Sequence, residues 1–289
     1  MSTLQTQILT RTGTIIVRRD ARGPLPAADI VRSGYFAWKR YLDVFLASLL
    51  MVPALPVIAL LALVVRLTSR GPGLYRQTRV GHNRRLFKMC KIRTMYLDAE
   101  QAAGPVWTRP GDVRITPVGR ALRRMHLDEL PQLFNVLKGE MSLIGPRPER
   151  PEFVAVLEEA VPGFHDRLAV RPGVTGLAQL NLPPDTDIQS VERKLVLDRE
   201  YIMKANVGLD LRIFLCTALR IVKVNESLLL WALRLRRHPP AISAAGTPAQ
   251  DAGVPLTPAL VVAAVEGPAT ADSTTPSNGN GKHHPHKPR

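Results

Sequence analysis

The sequence predicts an α+β chain, mostly helical. A re-entrant helix–break–helix embedded in a membrane is expected to carry a small domain of short strands and interfacial amphipathic helices. Three observations lead there. Residues 44–65 (VFLASLLMVPALPVIALLALVV) carry no charge and are interrupted by Pro53 and Pro56. Residues 74–95 alternate and are rich in β-forming side chains. From there to residue 237 the chain reads as helices parted by Gly and Pro turns, the last of them strongly basic.

Taken in order, residues 1–37 read as a weakly ordered N-terminal extension with one β-like run, Thr14 to Val17. Met1 to Gly13 has no apolar h-region, so no cleavable signal peptide is expected. The apolar run is long enough to cross a bilayer core, which takes about 20 apolar residues in a helix. Two features favour entry and exit on one face, over about residues 42–66. Each proline removes a backbone donor in mid-segment. Both flanks are basic, Lys39 and Arg40 before and Arg66, Arg70, Arg76 and Arg79 after, and positive flanks stay on the inner side. A kinked single span and a buried core helix are the alternatives. After the Gly71-Pro72-Gly73 turn, 74–95 reads as one or two strands. Residues 97–103 read as a short helix and 105–113 as a loop. Helices are expected from about Val118 to Met125 and from Leu130 to Leu137, the second ending near Gly139. Further helices fall at 151–160 and 188–204. Residues 209–237 alternate apolar patches with Arg212, Arg220, Lys223, Arg234, Arg236 and Arg237, a pattern that suits either a membrane interface or a surface helix packed on the core. From Pro239 the chain is rich in Pro, Ala, Thr and Ser, so 238–289 is expected to be a disordered tail. That leaves 38–237 as the membrane-associated domain.

Charge narrows the partners. The chain has 289 residues and a formal charge of +15. Nine of its Lys and Arg residues, and no acid, lie between Arg66 and Arg93, directly after the apolar run. The anionic partner this demands is nucleic acid, lipid headgroups or a phosphate-bearing substrate, and the position beside the apolar run points to the membrane. Two cysteines, Cys90 and Cys216, form no disulfide framework and fit a reducing compartment.

The chemistry is expected around Asp128 and Glu129, adjacent acids preceded by Arg123, Arg124 and His126. Two neighbouring carboxylates can divide roles: one holds a divalent metal such as Mg²⁺, the other attacks phosphorus or moves a proton. The spacing alone also suits an ordinary helix start, because Pro131 follows and acids sit well at a helix N-terminus. Lys91 and Arg93 share parity on the expected strand. Arg147 sits between Pro146 and Pro148, and Arg171 precedes Pro172-Gly173. A guanidinium on a stiff loop suits bidentate phosphate recognition. His283, His284 and His286 read as a solvated tail. Trp38, Tyr41 and Trp231 flank apolar segments, as interfacial anchors or as core.

From Trp38 to Lys223 the sequence resembles the bacterial sugar transferases, the monotopic phosphoglycosyl transferases. The motifs that carry the resemblance are KRYLD at 39–43, the Pro-broken apolar segment, GPGLYRQTRVG at 71–81 and FKMCKIRTM at 87–95. RITPVGRALRRMHLDELPQLFNVLKGEMSLIGPRP at 114–148 and VRPGVTGLAQLN at 170–181 complete the set. The long 114–148 block is the most specific of these.

The resemblance implies transfer of a sugar 1-phosphate from a nucleoside diphosphate sugar, usually UDP-linked, to undecaprenyl phosphate, with release of UMP. This would be the first membrane step of a surface polysaccharide or glycoconjugate pathway. It implies Asp128 as a nucleophile that forms a covalent phospho-sugar intermediate, Glu129 as a Mg²⁺ ligand, and Arg123 near the phosphates. It further implies a re-entrant helix broken at Pro56 and Pro53 in the cytoplasmic leaflet of the bacterial inner membrane. Partners are then the nucleotide sugar, polyprenyl phosphate and membrane lipids, without nucleic acid, and a homodimer stays open. Larger members add an N-terminal multi-span domain, so the chain resembles the minimal form. Two positions depart from the family pattern: Leu55-Pro56 stands where many members have Ser-Pro, and Asn181-Leu182-Pro183-Pro184-Asp185 where many have NGR. The competing function class is a non-enzymatic membrane-anchored protein that binds anionic lipid or nucleic acid.

Overall fold

The computed structural model describes residues 33–97, Ala99 and 111–239, with the backbone of a short hairpin, β1 (Thr10–Arg11) and β2 (Thr14–Ile15). The rest of the N-terminal extension, most of 97–113 and the tail from residue 240 lie outside the described residues, as do the expected helix at 97–103 and His283, His284 and His286.

The described chain is mostly helical, with a few short strands and one long apolar helix. That helix, α1 (Lys39–Thr68), runs through both Pro53 and Pro56. The expected helix–break–helix is therefore one continuous element. Proline's fixed φ is itself helical, so each proline removes one N–H bond without ending the helix. Thirty residues make α1 about 45 Å long. Its buried residues, Lys39, Asp43, Ala47, Ala54, Ile58 and Val65, recur at spacings of four and seven, which puts them on one face from end to end. The other face is apolar and exposed, with Tyr41, Phe45, Leu49, Val52, Leu60, Leu63 and Leu67. Only 17% of its most apolar window is buried, which rules out a core helix.

Both ends of α1 are fastened to the same body. At the start, Lys39 Nζ pairs with Asp43 (3.2 Å) and with Asp210. Tyr35 and Tyr201 donate their hydroxyls to Asp210 at 2.9 and 2.8 Å. Asp43 also accepts the Leu143 N–H at 3.2 Å. At the far end, Arg93 donates to the Ser69 carbonyl and hydroxyl, both at 2.9 Å, and to the Arg70 carbonyl. The last carbonyls of a helix lack partners within it, and a buried guanidinium supplies several donors at once.

The 74–95 region is an antiparallel hairpin, β3 (Leu74–Val80) and β4 (Leu86–Ile92), with Leu74 opposite Ile92. Thr116 starts α2 (Pro117–Arg124): its hydroxyl accepts the Gly119 N–H at 2.9 Å, with Pro117 at the favoured first position. α3 (Gln132–Lys138) ends at Gly139, whose φ of 85° is the left-handed turn expected after a helix. β5 (Ser142–Ile144) pairs in parallel with β6 (Gly173–Thr175), and α4 (Pro151–Ala160) lies between them in sequence. α5 (Leu177–Asn181) and α6 (Ile188–Lys204) follow, α6 opening on a reciprocal Asp187–Ser190 cap. The 209–237 stretch is two helices, α7 (Val207–Ile221) and α8 (Glu226–Ala232), and it exposes Val207, Leu211, Leu215, Leu228 and Trp231.

The main core joins α1, α3, β4, β5, α6 and α7 through Ala47, Val136, Met141, Ile202 and Ile213, all fully buried. A second cluster, centred on Phe153, Leu157, Phe164 and Val191, fixes α4 against α6 and the end of β3.

Candidate active site

Asp128 and Glu129 do not start α3. They form a separate 3₁₀ turn, Leu127–Glu129, entered through His126 in the left-handed region (φ 55°). That reversal after α2 points the two carboxylates in different directions. Glu129 Oε1 accepts from Lys91 Nζ at 3.1 Å and from Arg147 Nη2 at 2.6 Å. Asp128 is buried, and among the described residues no hydrogen bond holds its carboxylate.

The electrostatics separate the two acids. Burial pushes the Glu129 carboxyl upward, but Arg147 and Lys91 outweigh it and hold Glu129 well below the ordinary carboxylate range. Burial also pushes Asp128 up, and there Lys91, Arg123 and Arg147 offset it only in part, against the repulsion of Glu129. Arg147 is raised, chiefly by Glu129. Lys91 is lowered by its own burial. One carboxylate is thus locked as an anion. Its neighbour keeps a free, destabilised carboxylate among cations, a usual condition for a nucleophile.

Of the five cations expected at phosphates, three gather here. Lys91 comes from β4 and Arg147 from the loop after β5. Arg123 comes from α2, where its Nε donates to Thr94 Oγ1 at 2.8 Å and its charge acts on Asp128. The Arg147 side chain is 35% exposed, so its outer face stays open to a ligand. The other two lie elsewhere. Arg93 is held by the end of α1, and Arg171 Nε donates to the Gly139 carbonyl at 3.0 Å, at the end of α3. In both cases helix-terminal carbonyls draw the guanidinium away from the acids.

Several residues that build the site went unmarked by sequence reasoning. Asn135 in α3 is fully buried. Its Oδ1 accepts the Cys90 N–H at 2.9 Å and its Nδ2 donates to the Lys88 carbonyl at 2.8 Å. The amide acts as one residue of an extra strand and fixes the register of Lys91. The signal was a polar residue inside the apolar run LFNVLK. Thr94 holds α2 through its hydroxyl, and its carbonyl accepts the Thr116 N–H at 3.0 Å. The Pro146–Arg147–Pro148 loop is pinned three ways: Gly173 N–H to the Pro146 carbonyl (2.8 Å), Arg167 to that of Arg147 (2.9 Å), and Arg79 to that of Pro148 (3.0 Å).

Among the described residues no three His, Cys, Asp or Glu side chains converge as a metal cage. Mg²⁺ takes only one or two carboxylates and completes its shell with substrate phosphates and water, so Asp128 and Glu129 are the side chains here that would hold one.

One long helix with an exposed apolar face lies in the same body as a buried acid pair and the three cations Lys91, Arg123 and Arg147. The family model described as bacterial sugar transferase matches residues 34–224. The chain belongs to that family. It is 40% identical over 207 residues to the undecaprenyl-phosphate glucose phosphotransferase of Komagataeibacter xylinus, across 68% of this chain and 39% of that protein. It is also 40% identical over 207 residues to the UDP-glucose:undecaprenyl-phosphate glucose-1-phosphate transferase of Caulobacter vibrioides, across 71% and 75%. Identity to the exopolysaccharide production protein PSS of Rhizobium leguminosarum bv. phaseoli is 40% over 184 residues, across 62% and 92%. The chain thus spans well under half of the first of these relatives and most of the other two.

Proposed function

We propose that the chain transfers a sugar 1-phosphate from a UDP-sugar to polyprenyl phosphate in two steps through Asp128. The observation that carries this reading is the unbonded, buried Asp128 carboxylate beside a Glu129 already neutralised by Lys91 and Arg147. In the first step an Asp128 oxygen attacks the sugar-linked phosphorus, the bond to the bridging oxygen breaks, and UMP leaves with both electrons. In the second, an oxygen of polyprenyl phosphate attacks the acyl phosphate. The Asp128 oxygen–phosphorus bond breaks, giving polyprenyl diphosphate sugar and free Asp128. Lys91, Arg123 and Arg147 stabilise the charge on the transferring phosphoryl group, which is most of what such catalysis requires. A Mg²⁺ held by Glu129 would add charge neutralisation at the substrate diphosphate. Two relatives carry glucose in their names, which makes UDP-glucose the first donor to test.

The reading includes attachment to one leaflet, on the cytoplasmic face. A straight α1 crossing the bilayer would carry one end away from the domain, whereas Lys39 and Ser69 are both fastened to it. A continuous α1 lying in the interface keeps both contacts and offers its apolar face to lipid, with α7 and α8 alongside in the headgroup layer.

The test is UMP release from a panel of UDP-sugars in membranes supplied with polyprenyl phosphate. Asp128→Asn lowers release by roughly 10⁴-fold or more while membrane association persists. A phospho-sugar adduct forms on the wild-type chain when polyprenyl phosphate is withheld. Normal turnover of the Asn variant rejects Asp128 as nucleophile.

A further inference from the structure

Arg40 and Arg171 meet at the C-terminal end of α3. Arg40 donates to the Val136 carbonyl and, at 2.8 Å, to that of Leu137, while Arg171 donates to that of Gly139. Capping three carbonyls leaves both side chains with further N–H donors, four of them on the terminal nitrogens of Arg171. The two guanidinium charges repel each other. Beside them lies a cavity of about 100 Å³, roomy enough for several waters and hence for a tetrahedral phosphate. Arg40, Arg171, Lys39 and His82 line it, with a single carboxylate, Asp43. Asp43 is already engaged by Lys39 and the Leu143 N–H. The lining therefore holds an excess of positive charge over acids free to answer it.

Two placements say what kind of anion. Lys39 and Arg40 bring the first turn of α1 to the cavity, and their chain neighbours Trp38 and Tyr41 are 47% and 78% exposed, at the end of α1 where its exposed apolar residues begin. Aromatic residues at the end of an apolar segment mark headgroup depth. The cavity also lies at the opposite end of α3 from Asp128 and Glu129. The seven residues of α3 alone span about 10 Å. A phosphate held here is not the one that reacts.

We infer that the Arg40–Arg171–His82 cavity binds the phosphodiester headgroup of an anionic membrane phospholipid, separately from the substrate phosphates. Bound there, the headgroup sets the depth and tilt at which α1 meets the leaflet. This rests on the membrane attachment proposed above, and UMP release in phospholipid-free detergent micelles supplied with polyprenyl phosphate reads the transfer reaction apart from it.

The experiment titrates the full-length chain, in neutral detergent micelles, with phosphatidylglycerol, phosphatidylcholine or inorganic phosphate, and follows its melting temperature. Phosphatidylglycerol is expected to stabilise it saturably, with little response to the other two. Arg171→Gln keeps a donor for the Gly139 carbonyl but loses the charge, and the half-saturating lipid fraction rises about tenfold. His82→Glu leaves the α3 cap untouched and places a carboxylate at the cavity, so it loses the lipid response while keeping UMP release. Arg212→Gln, whose side chain donates within α7 to the Gly208 carbonyl at 3.1 Å, responds like wild type. An equal loss in Arg212→Gln means diffuse surface charge and overturns the site. So does an unchanged response in His82→Glu, or equal stabilisation by phosphatidylcholine or inorganic phosphate.

Discussion

Around Glu149, three carboxylates meet three cations. Glu149 lies 3.7 Å from Arg79, 3.7 Å from Arg167 and 3.5 Å from Lys194, Asp198 pairs with Arg167 at 2.9 Å, and Asp185 pairs with Lys194. Around Asp128 and Glu129, two carboxylates meet three cations, Lys91, Arg123 and Arg147. The first cluster balances in formal charge and is closed to solvent, its side chains between 3% and 16% exposed. The second carries one surplus positive charge, and Arg147 is open. Arg147 joins them, through its side chain to Glu129 and its carbonyl to Arg167. A balanced cluster serves the fold, because an added anion would leave it with an excess of negative charge. A cluster with surplus positive charge attracts an anion such as the diphosphate of the proposed substrate, where a balanced one does not. Burial of charge alone therefore does not mark the site; the imbalance does.

Removing one carboxylate from each cluster breaks the comparison most sharply. Glu129→Gln is expected to lower UMP release by roughly 100-fold. Glu149→Gln leaves three cations short of an anion and costs about 3 kcal/mol in a denaturant titration, with a smaller change in turnover per folded molecule. If Glu149→Gln abolished turnover without loss of stability, the two clusters would be one site.

A smaller effect is expected where the site is braced by backbone. A Cβ at Gly119 would fall 2.1 Å from the Thr94 carbonyl. Gly119→Ala therefore pushes α2, and Arg123 with it, off the exit of β4, costing about 1–3 kcal/mol of stability. Turnover falls with it, and Thr94 is the expected point of displacement in a structure of the variant.

The smallest effect sharpens the contrast inside the acid pair. Asp128 is raised in the folded chain, so its ionised form weakens the fold at neutral pH. Asp128→Asn is inactive yet melts higher than wild type at pH 7, and the advantage disappears below about pH 4, where Asp128 is protonated in both states. Glu129 is depressed, so its stabilisation is present above the ordinary carboxylate range and is lost as pH falls through its lowered value. Glu129→Gln accordingly melts lower than wild type at pH 7. Turnover of the wild type falls on the acid side at a higher pH than an ordinary aspartate would impose, measured as UMP release against pH.

Much of this was legible in the chain. Helices at 151–160 and 188–204, the hairpin after Gly71-Pro72-Gly73 and the stop at Gly139 follow from local periodicity, caps and turn chemistry, which act over a few residues. The acid pair was visible as adjacent carboxylates, Lys91 by its place on the expected strand, Arg147 by its proline-stiffened loop, and Arg123 through the family resemblance. Arg93 and Arg171 showed the same signal and met other partners. An arginine's reach exceeds its local context, and the orphan carbonyls that captured these two belong to helix ends 22 to 32 residues away in sequence.

By itself, then, the sequence determined the order of the hairpin and the main helices, the uncharged apolar run that forms most of α1, and the presence of an acid pair among basic residues. Those are properties of spacing and side-chain chemistry. Only the tertiary structure decided that α1 continues through Pro53 and Pro56, because packing along a whole helix face outweighs two lost N–H bonds. It alone decided which acid is tied and which is free. Asp128 and Glu129 are neighbours in the chain, but only contacts from β4 and the Pro146–Pro148 loop, brought together by folding, make their carboxylates unlike.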